Sequence, residues 1–203
     1  MRSRPNTYDK GLRAASPALC GRGGAALVRS GRAVSAFVFV GARDLKRANL
    51  VAAIRTLHPA IGVVVRDYED DDPQAVADII TLCRLQRRIV LSAGPDTHGS
   101  RHIPRWQHAH MRSKGIRSFS VHTASEAVRA RRAGANLVFI SPLFQTSSHP
   151  GAKPIGLFEG RRLARTAKAP AFALGGITIK RSKRLIACGH FQGVGAISAF
   201  LKD

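Results

Sequence analysis

The sequence predicts an α/β protein built as a single (β/α)8, or TIM, barrel, and three observations carry that reading. Eight short apolar runs rich in Val, Ile and Phe recur from residue 35 onward. Segments of helical period separate most of them, which is the pattern of parallel strands joined by crossover helices. The 203 residues also lie near the lower limit of about 200 for such a barrel.

Taken in order, the runs are AFVFV (36–40), IGVVV (61–65), RIVLS (88–92), the weaker RHIPR (101–105), RSFSV (117–121), NLVFI (136–140), AFAL (171–174) and GVGAIS (193–198). Between the second and third, DDPQAVADIITLCRL offers Asp72 as N-cap and Pro73 at the first helical position, with Val76, Ile79, Ile80 and Cys83 on one face. After the fifth, TASEAVRARRAGA reads as a capping box, Thr123 to Glu126, closed by Gly134 just past the helix. The stretch SAGPDTHGSR from Ser92 leaves no room for a full helix, so the barrel is expected to be shortened around its third βα unit. A flavodoxin-like doubly wound sheet, which needs fewer strands, is the alternative.

Residues 1–34 hold seven Lys or Arg against one acid, Asp9, without an apolar period. They are expected to form a disordered basic tail, or to reflect a start site placed too far upstream, leaving 35–203 as the barrel domain. No stretch approaches the roughly 18 apolar residues of a membrane span. Cys20, Cys83 and Cys188 stand far apart with no C-x-x-C pair, so neither a zinc site nor a disulfide framework is expected, and a reducing, cytoplasmic setting fits. The formal charge of +21 attracts anions of every kind. No helix-turn-helix, zinc-finger or RNP-like pattern accompanies it, so nonspecific binding of nucleic acid at low salt is expected and specific binding is not.

Loops that follow the strands build the active site of such a barrel, with phosphate commonly held after strands seven and eight. ALGGIT places Gly175 and Gly176 after the seventh run, where backbone amides can approach an anion without a Cβ in the way. GVGAISAF places Ile197 and Ser198 at the end of the eighth, before a short helix. The sixth run opens into ISPLFQTSSHPGAKPIGL, where Thr146, Ser147 and Ser148 gather three hydroxyls.

SVHTASEAVRARRAGANLVFISPLFQTSSHPGAKPIGL, with APAFALGGIT and GVGAISAF, resembles the thiamine phosphate synthase and thiazole tautomerase family of TIM barrels over residues 120–200, and more loosely from Ala36. The resemblance implies a transferase that joins an aminopyrimidine pyrophosphate to a thiazole phosphate with release of pyrophosphate. It implies catalytic roles for His122, Arg66 and Ser120. It further implies that Thr146, Ser148 and His149 bind phosphate oxygens, and that Gly175, Gly176, Ile197 and Ser198 hold the thiazole phosphate.

Departures from the family pattern bear on the metal. Val64 and Tyr68 replace a Gln and a Lys around Arg66, and His149 replaces a Lys. Ser92 and Ala93 stand for Asn-Asp, and Gln107 for an acid, so both usual Mg²⁺ carboxylates are absent; no protein metal ligand is assigned, and Mg²⁺ would depend on substrate oxygens and water. A metal-independent thiazole tautomerase with His122 as proton shuttle is the alternative chemistry, and a non-catalytic phosphate-ligand binder a further one. Two other clusters read as structural. The acids at 69–72 fall at a helix start, and His98, His102, His108 and His110 lack the spacing of a zinc site.

Overall fold

The computed structural model describes residues 28–29, 32–41, 50–66, 72–93, 100–104, 115–146 and 151–196. A two-stranded antiparallel ribbon, β1 (Val28–Arg29) with β2 (Arg32–Ala33), comes first. Eight parallel strands then close into a barrel: β3 (Ala36–Gly41), β4 (Ile61–Arg66), β5 (Val90–Ser92), β6 (Arg101–Ile103), β7 (Arg117–Val121), β8 (Leu137–Ile140), β9 (Ala171–Ala173) and β10 (Gly193–Ala196), with β10 pairing back onto β3. The eight runs and the barrel expected from them are therefore borne out. Eight residues, 93–100, separate β5 from β6, and these two strands share the single partner pair Ser92 and Arg101. That is the shortened third unit.

Each barrel strand alternates its side chains between two cores, as the period of two requires. Phe37, Phe39, Val64, Leu91, Leu137, Phe139 and Phe172 fill the interior. Val38, Val40, Val63, Val65, Val138 and Ile140 face the helices. Inside, Phe139 meets Phe37 and Phe39 edge-on at centroid distances of 5.2 and 4.8 Å, and Phe37 meets Phe172 at 5.0 Å. Room for these rings comes from Gly62 and Gly193, where a Cβ would strike the Phe37 ring and the Ser35 carbonyl.

The helices follow their sequence signals. In α1 (Leu50–Thr56) Leu50 and Ile54 are buried. In α2 (Pro73–Leu85) the Asp72 carboxylate accepts from the Ala75 N–H at 3.0 Å, and the buried face is Val76, Ile79, Ile80 and Cys83. Burial pushes the Cys83 thiol up to about 12, so it stays a neutral apolar filler. In α3 (Ala124–Arg132) the Thr123 and Glu126 capping box is complete, and Gly134 follows at φ +67°. Helices α4 (Leu157–Ala167) and α5 (Ile179–Ala187) flank β9.

The β1–β2 ribbon and Val34, which is buried with the interior cluster, fall within the segment 1–34, and the rest of that segment lies outside the described residues. One expectation shifts. The third run, read as a strand from residue 88, becomes a strand only at Val90, because Arg88 does other work. It is 3% exposed, and its guanidinium donates to the carbonyls of Leu57 (2.9 Å), His58 (2.8 Å) and Ile61, tying the end of α1 and the start of β4 to β5.

Phe139→Ala should cost about 3–5 kcal/mol, because it removes the ring on which the interior rings converge and leaves a cavity. Urea unfolding followed by circular dichroism measures it; a loss below about 1 kcal/mol would mean that the barrel interior is not close-packed.

Candidate active site

The carboxyl ends of the strands form the barrel mouth, and the predicted residues divide into a central group and a rim group. In the centre, Arg66 ends β4 with its guanidinium carbon 5.4 Å from the centroid of the Phe39 ring. Its Nε is buried without a hydrogen-bond partner among the described residues. Ser120 on β7 sets its Oγ 3.2 Å from Nε2 of His102, whose Nδ1 lies 2.8 Å from the Oγ of Ser118. His102 is 2% exposed, and burial together with the nearby Arg66 charge lowers its pKa from 6.5 to about 3. The imidazole is therefore neutral at every pH at which the protein would be handled.

His122 follows β7 and is held at both ends. Its backbone N–H donates to the Glu126 carboxylate at 2.6 Å, and its Nδ1 lies 2.6 Å from the carbonyl oxygen of Ser141. A carbonyl can only accept, so Nδ1 carries the proton and the acceptor lone pair of the neutral ring belongs to Nε2. That is the tautomer a general base needs.

At the rim, the loop after β8 and the turn after β9 lock together. The Leu143 N–H donates to the Leu174 carbonyl at 2.8 Å, and the Phe144 N–H to the Gly175 carbonyl at 3.2 Å. Arg181 of α5 donates to the Gly176 carbonyl at 2.6 Å and lays its guanidinium 4.5 Å from the centroid of the Phe144 ring. Gly175 and Gly176 have φ of +91° and +62°. A Cβ on Gly175 would sit 2.8 Å from the Pro142 Cα, and one on Gly176 would overlap the Gln145 carbonyl. The space that a Cβ would take at each glycine is filled by the chain itself. Thr146, half-buried, follows directly on Gln145 and so belongs to this locked rim.

Thr146, Gly175 and Gly176 are thus brought together, with His122 joined to them through Ser141, and Ser120 and Arg66 share the centre with His102. Ser148, His149, Ile197 and Ser198 lie outside the described residues, as do Tyr68 and Gln107. His102 resembles the His of the family's fourth-strand motif, but its pairing with two serines was missed; the signal for that pairing is Ser118-x-Ser120, a strand with two inward hydroxyls.

The described residues do not fit a protein-held Mg²⁺. Ser92 and Ala93 at the end of β5 are both buried, and Ala93 has no ligand atom in its side chain. The four acids among the described residues all serve helices: Asp72 caps α2, Asp78 accepts from Gln74, Glu126 completes the box of α3, and Glu159 pairs with Arg162 at 2.6 Å. Among the described residues no group of three or more His, Cys, Asp or Glu could hold a metal. Nor is any described helix long and apolar enough to cross a membrane.

Fold and mouth together define a (β/α)8 barrel with glycine turns and hydroxyls after its later strands. Residues 104–200 match the family model Thiamine monophosphate synthase, which bears out the resemblance seen in the sequence. The chain is 40% identical over 87 residues to a candidate thiamine-phosphate synthase of Aquifex aeolicus, covering 43% of this chain and 46% of that one. It is 38% identical over 87 residues to a thiamine-phosphate synthase of Roseiflexus castenholzii, covering 42% and 38% respectively. The matched part thus spans less than half the length of these relatives. Among solved structures, a thiamine phosphate pyrophosphorylase from Pyrococcus furiosus superimposes with a TM-score of 0.63 at 20% identity, over 81% of this chain and 86% of that one, a likeness of fold.

Two outcomes follow. The depressed pKa of His102 means that the unfolded chain binds a proton below pH 6.5 that the folded chain refuses down to about pH 3. Stability contributed by His102 is present above pH 6.5 and is lost as pH falls, at up to about 1.4 kcal/mol per pH unit. Urea midpoints from pH 7 to pH 4 should show a steeper decline for wild type than for His102→Gln, and parallel curves would mean that the ring titrates normally. Gly176→Ala should lower the melting temperature and make the 142–146 loop more sensitive to protease, because a Cβ meets the Gln145 carbonyl at a left-handed φ. An unchanged digestion pattern would show that the two loops are not locked.

Proposed function

We propose that the chain is a thiamine phosphate synthase-like transferase acting in a cytoplasmic setting, joining an aminopyrimidine pyrophosphate to a thiazole phosphate and releasing pyrophosphate. The observation that carries this reading is the locked rim: Thr146 beside the Gly175–Gly176 turn, within the part of the chain that matches the family model. In such a reaction the C–O bond to the leaving pyrophosphate breaks toward a pyrimidine cation while the thiazole nitrogen attacks. The protein's work is then positioning and neutralisation of the leaving charge. Arg66 brings a fixed cation to the centre of the mouth, with a buried donor that has no acceptor among the described residues. Thr146 offers a hydroxyl to phosphate oxygens, and Ser148, His149, Ile197 and Ser198 are assigned to the same grip. No step is routed through Mg²⁺, since the described residues do not fit it.

A second reading has its own support. His122, with the proton fixed on Nδ1 by Ser141, offers Nε2 as a base, and a thiazole tautomerase needs only that base and a phosphate grip.

Purified protein given both substrates, with chelator in excess or with millimolar Mg²⁺, separates these readings. Weak condensation that changes little with Mg²⁺, and that Arg66→Ala reduces at least about a hundredfold, is expected for the transferase. Absent condensation with thiazole tautomerisation lost in His122→Ala would replace it with the second reading. Condensation that collapses on chelation would show that a metal site forms after all.

A further inference from the structure

We propose that Ser118 and His102 form a polarised hydrogen-bond relay that fixes the Ser120 hydroxyl as a donor toward the barrel mouth, which makes Ser118 and His102 positioning residues for an acceptor atom of the bound ligand. The inference deepens the transferase reading and rests on it only for its turnover measurements.

The relay begins with a ring that cannot turn. His102 packs edge-on against Phe39 and Phe139 at centroid distances of 5.8 and 5.5 Å, so its two nitrogens keep the partners they have. Nδ1 faces Ser118 at 2.8 Å, and Nε2 faces Ser120 at 3.2 Å. A neutral imidazole has one donor and one acceptor, and therefore only two directions are open to the chain of three groups.

Ser118 chooses between them. It is fully buried, and His102 Nδ1 is the hydrogen-bond partner its hydroxyl has among the described residues. With the ring proton on Nδ1, Ser118 would accept, and its own O–H would be buried without an acceptor, a state that folded proteins avoid. In the reverse direction every group is satisfied. Ser118 gives its proton to Nδ1, Nε2–H donates to the Ser120 oxygen, and the Ser120 O–H is left to point away from the ring. Ser120 is one layer nearer the mouth along β7 and is only half-buried, so that hydroxyl meets solvent or ligand.

Burial protects this polarity. A doubly protonated ring would donate to both serines and break the direction, but the apolar surroundings, and after them the charge of Arg66, keep the second proton off. Ser120 thus meets a ligand with its acceptor side occupied and its donor side free. It would favour a phosphate oxygen or an unprotonated ring nitrogen over a donor group.

The tautomer is directly measurable. Long-range proton–nitrogen correlation spectra of the full-length protein, labelled at histidine nitrogens, report it, with the His102 signals identified by their loss in His102→Gln. The Nε2–H form is expected, unchanged from pH 8 to pH 5. An Nδ1–H form, or uptake of a second proton in that range, overturns the proposal whatever the protein catalyses. In the condensation assay Ser118→Ala should lower kcat/KM about tenfold, as loss of a supporting partner does. The Ser118→Ala, Ser120→Ala pair should fall no further than Ser120→Ala alone, because the first residue acts through the second. Additive losses, or full activity in Ser118→Ala, would also overturn it. Wild-type protein with no condensation would remove the transferase reading and leave the tautomer as the deciding test of the relay.

Discussion

The edge-to-face packing of phenylalanines inside the barrel sets the geometry of everything above it. Phe139 touches Phe37, Phe39 and the His102 ring, and is tilted against Phe172 at 5.8 Å. Aromatic edges seek aromatic faces, so each ring orients its neighbour instead of merely filling volume. Small residues make room for this arrangement, since Gly62 leaves the gap into which Phe37 fits and Gly193 leaves space beside the Phe172 ring. The same rings then dictate polarity one layer up. Phe39 supplies the face on which Arg66 rests, and Phe39 and Phe139 hold the imidazole that reaches Ser120.

Charge is organised with comparable economy. The acids among the described residues sit on the helices, at caps or in pairs within one helix. That leaves Arg66 in the mouth without a carboxylate partner among the described residues, in a chain whose formal charge is +21. A cation in that position lowers the energy of an entering anion, and the surrounding positive field raises its local concentration. Arg88 illustrates the opposite arrangement. Its charge is satisfied by backbone carbonyls at the far end of β4, where they contribute to architecture and cannot reach a ligand at the mouth.

Much of the fold was legible because strand and helix periods are written in apolar residues. The eight runs, the Asp72 and Thr123 caps and the buried face of α2 all follow from that signal. The third run misled at Arg88 because a strand start and a buried structural cation look alike in one dimension. β6 read as weak for a reason that the structure supplies: the central residue of RHI points its imidazole inward, so the strand contributes polarity where a sequence reader looks for aliphatic bulk. The rim glycines were found by their motif, whereas their steric duty was not, since it depends on a loop some thirty residues earlier in the chain. Hydrogen-bond direction lay further still from the sequence, because it depends on which hydroxyl is buried.

The seam between β5 and β6 carries a consequence for how the molecule breathes. β3 and β4 are joined along six partner pairs, but among the described residues β5 and β6 share the one pair Ser92 and Arg101, with the Ser92 N–H bonded to the Ser100 carbonyl beside it. A closed ring of strands yields first where fewest hydrogen bonds must be surrendered together, so sub-global opening favours this seam over the long β3–β4 ladder. The seam lies beside the strand that carries His102, and a transient parting there would admit water to the base of the mouth without disturbing the locked rim across the barrel.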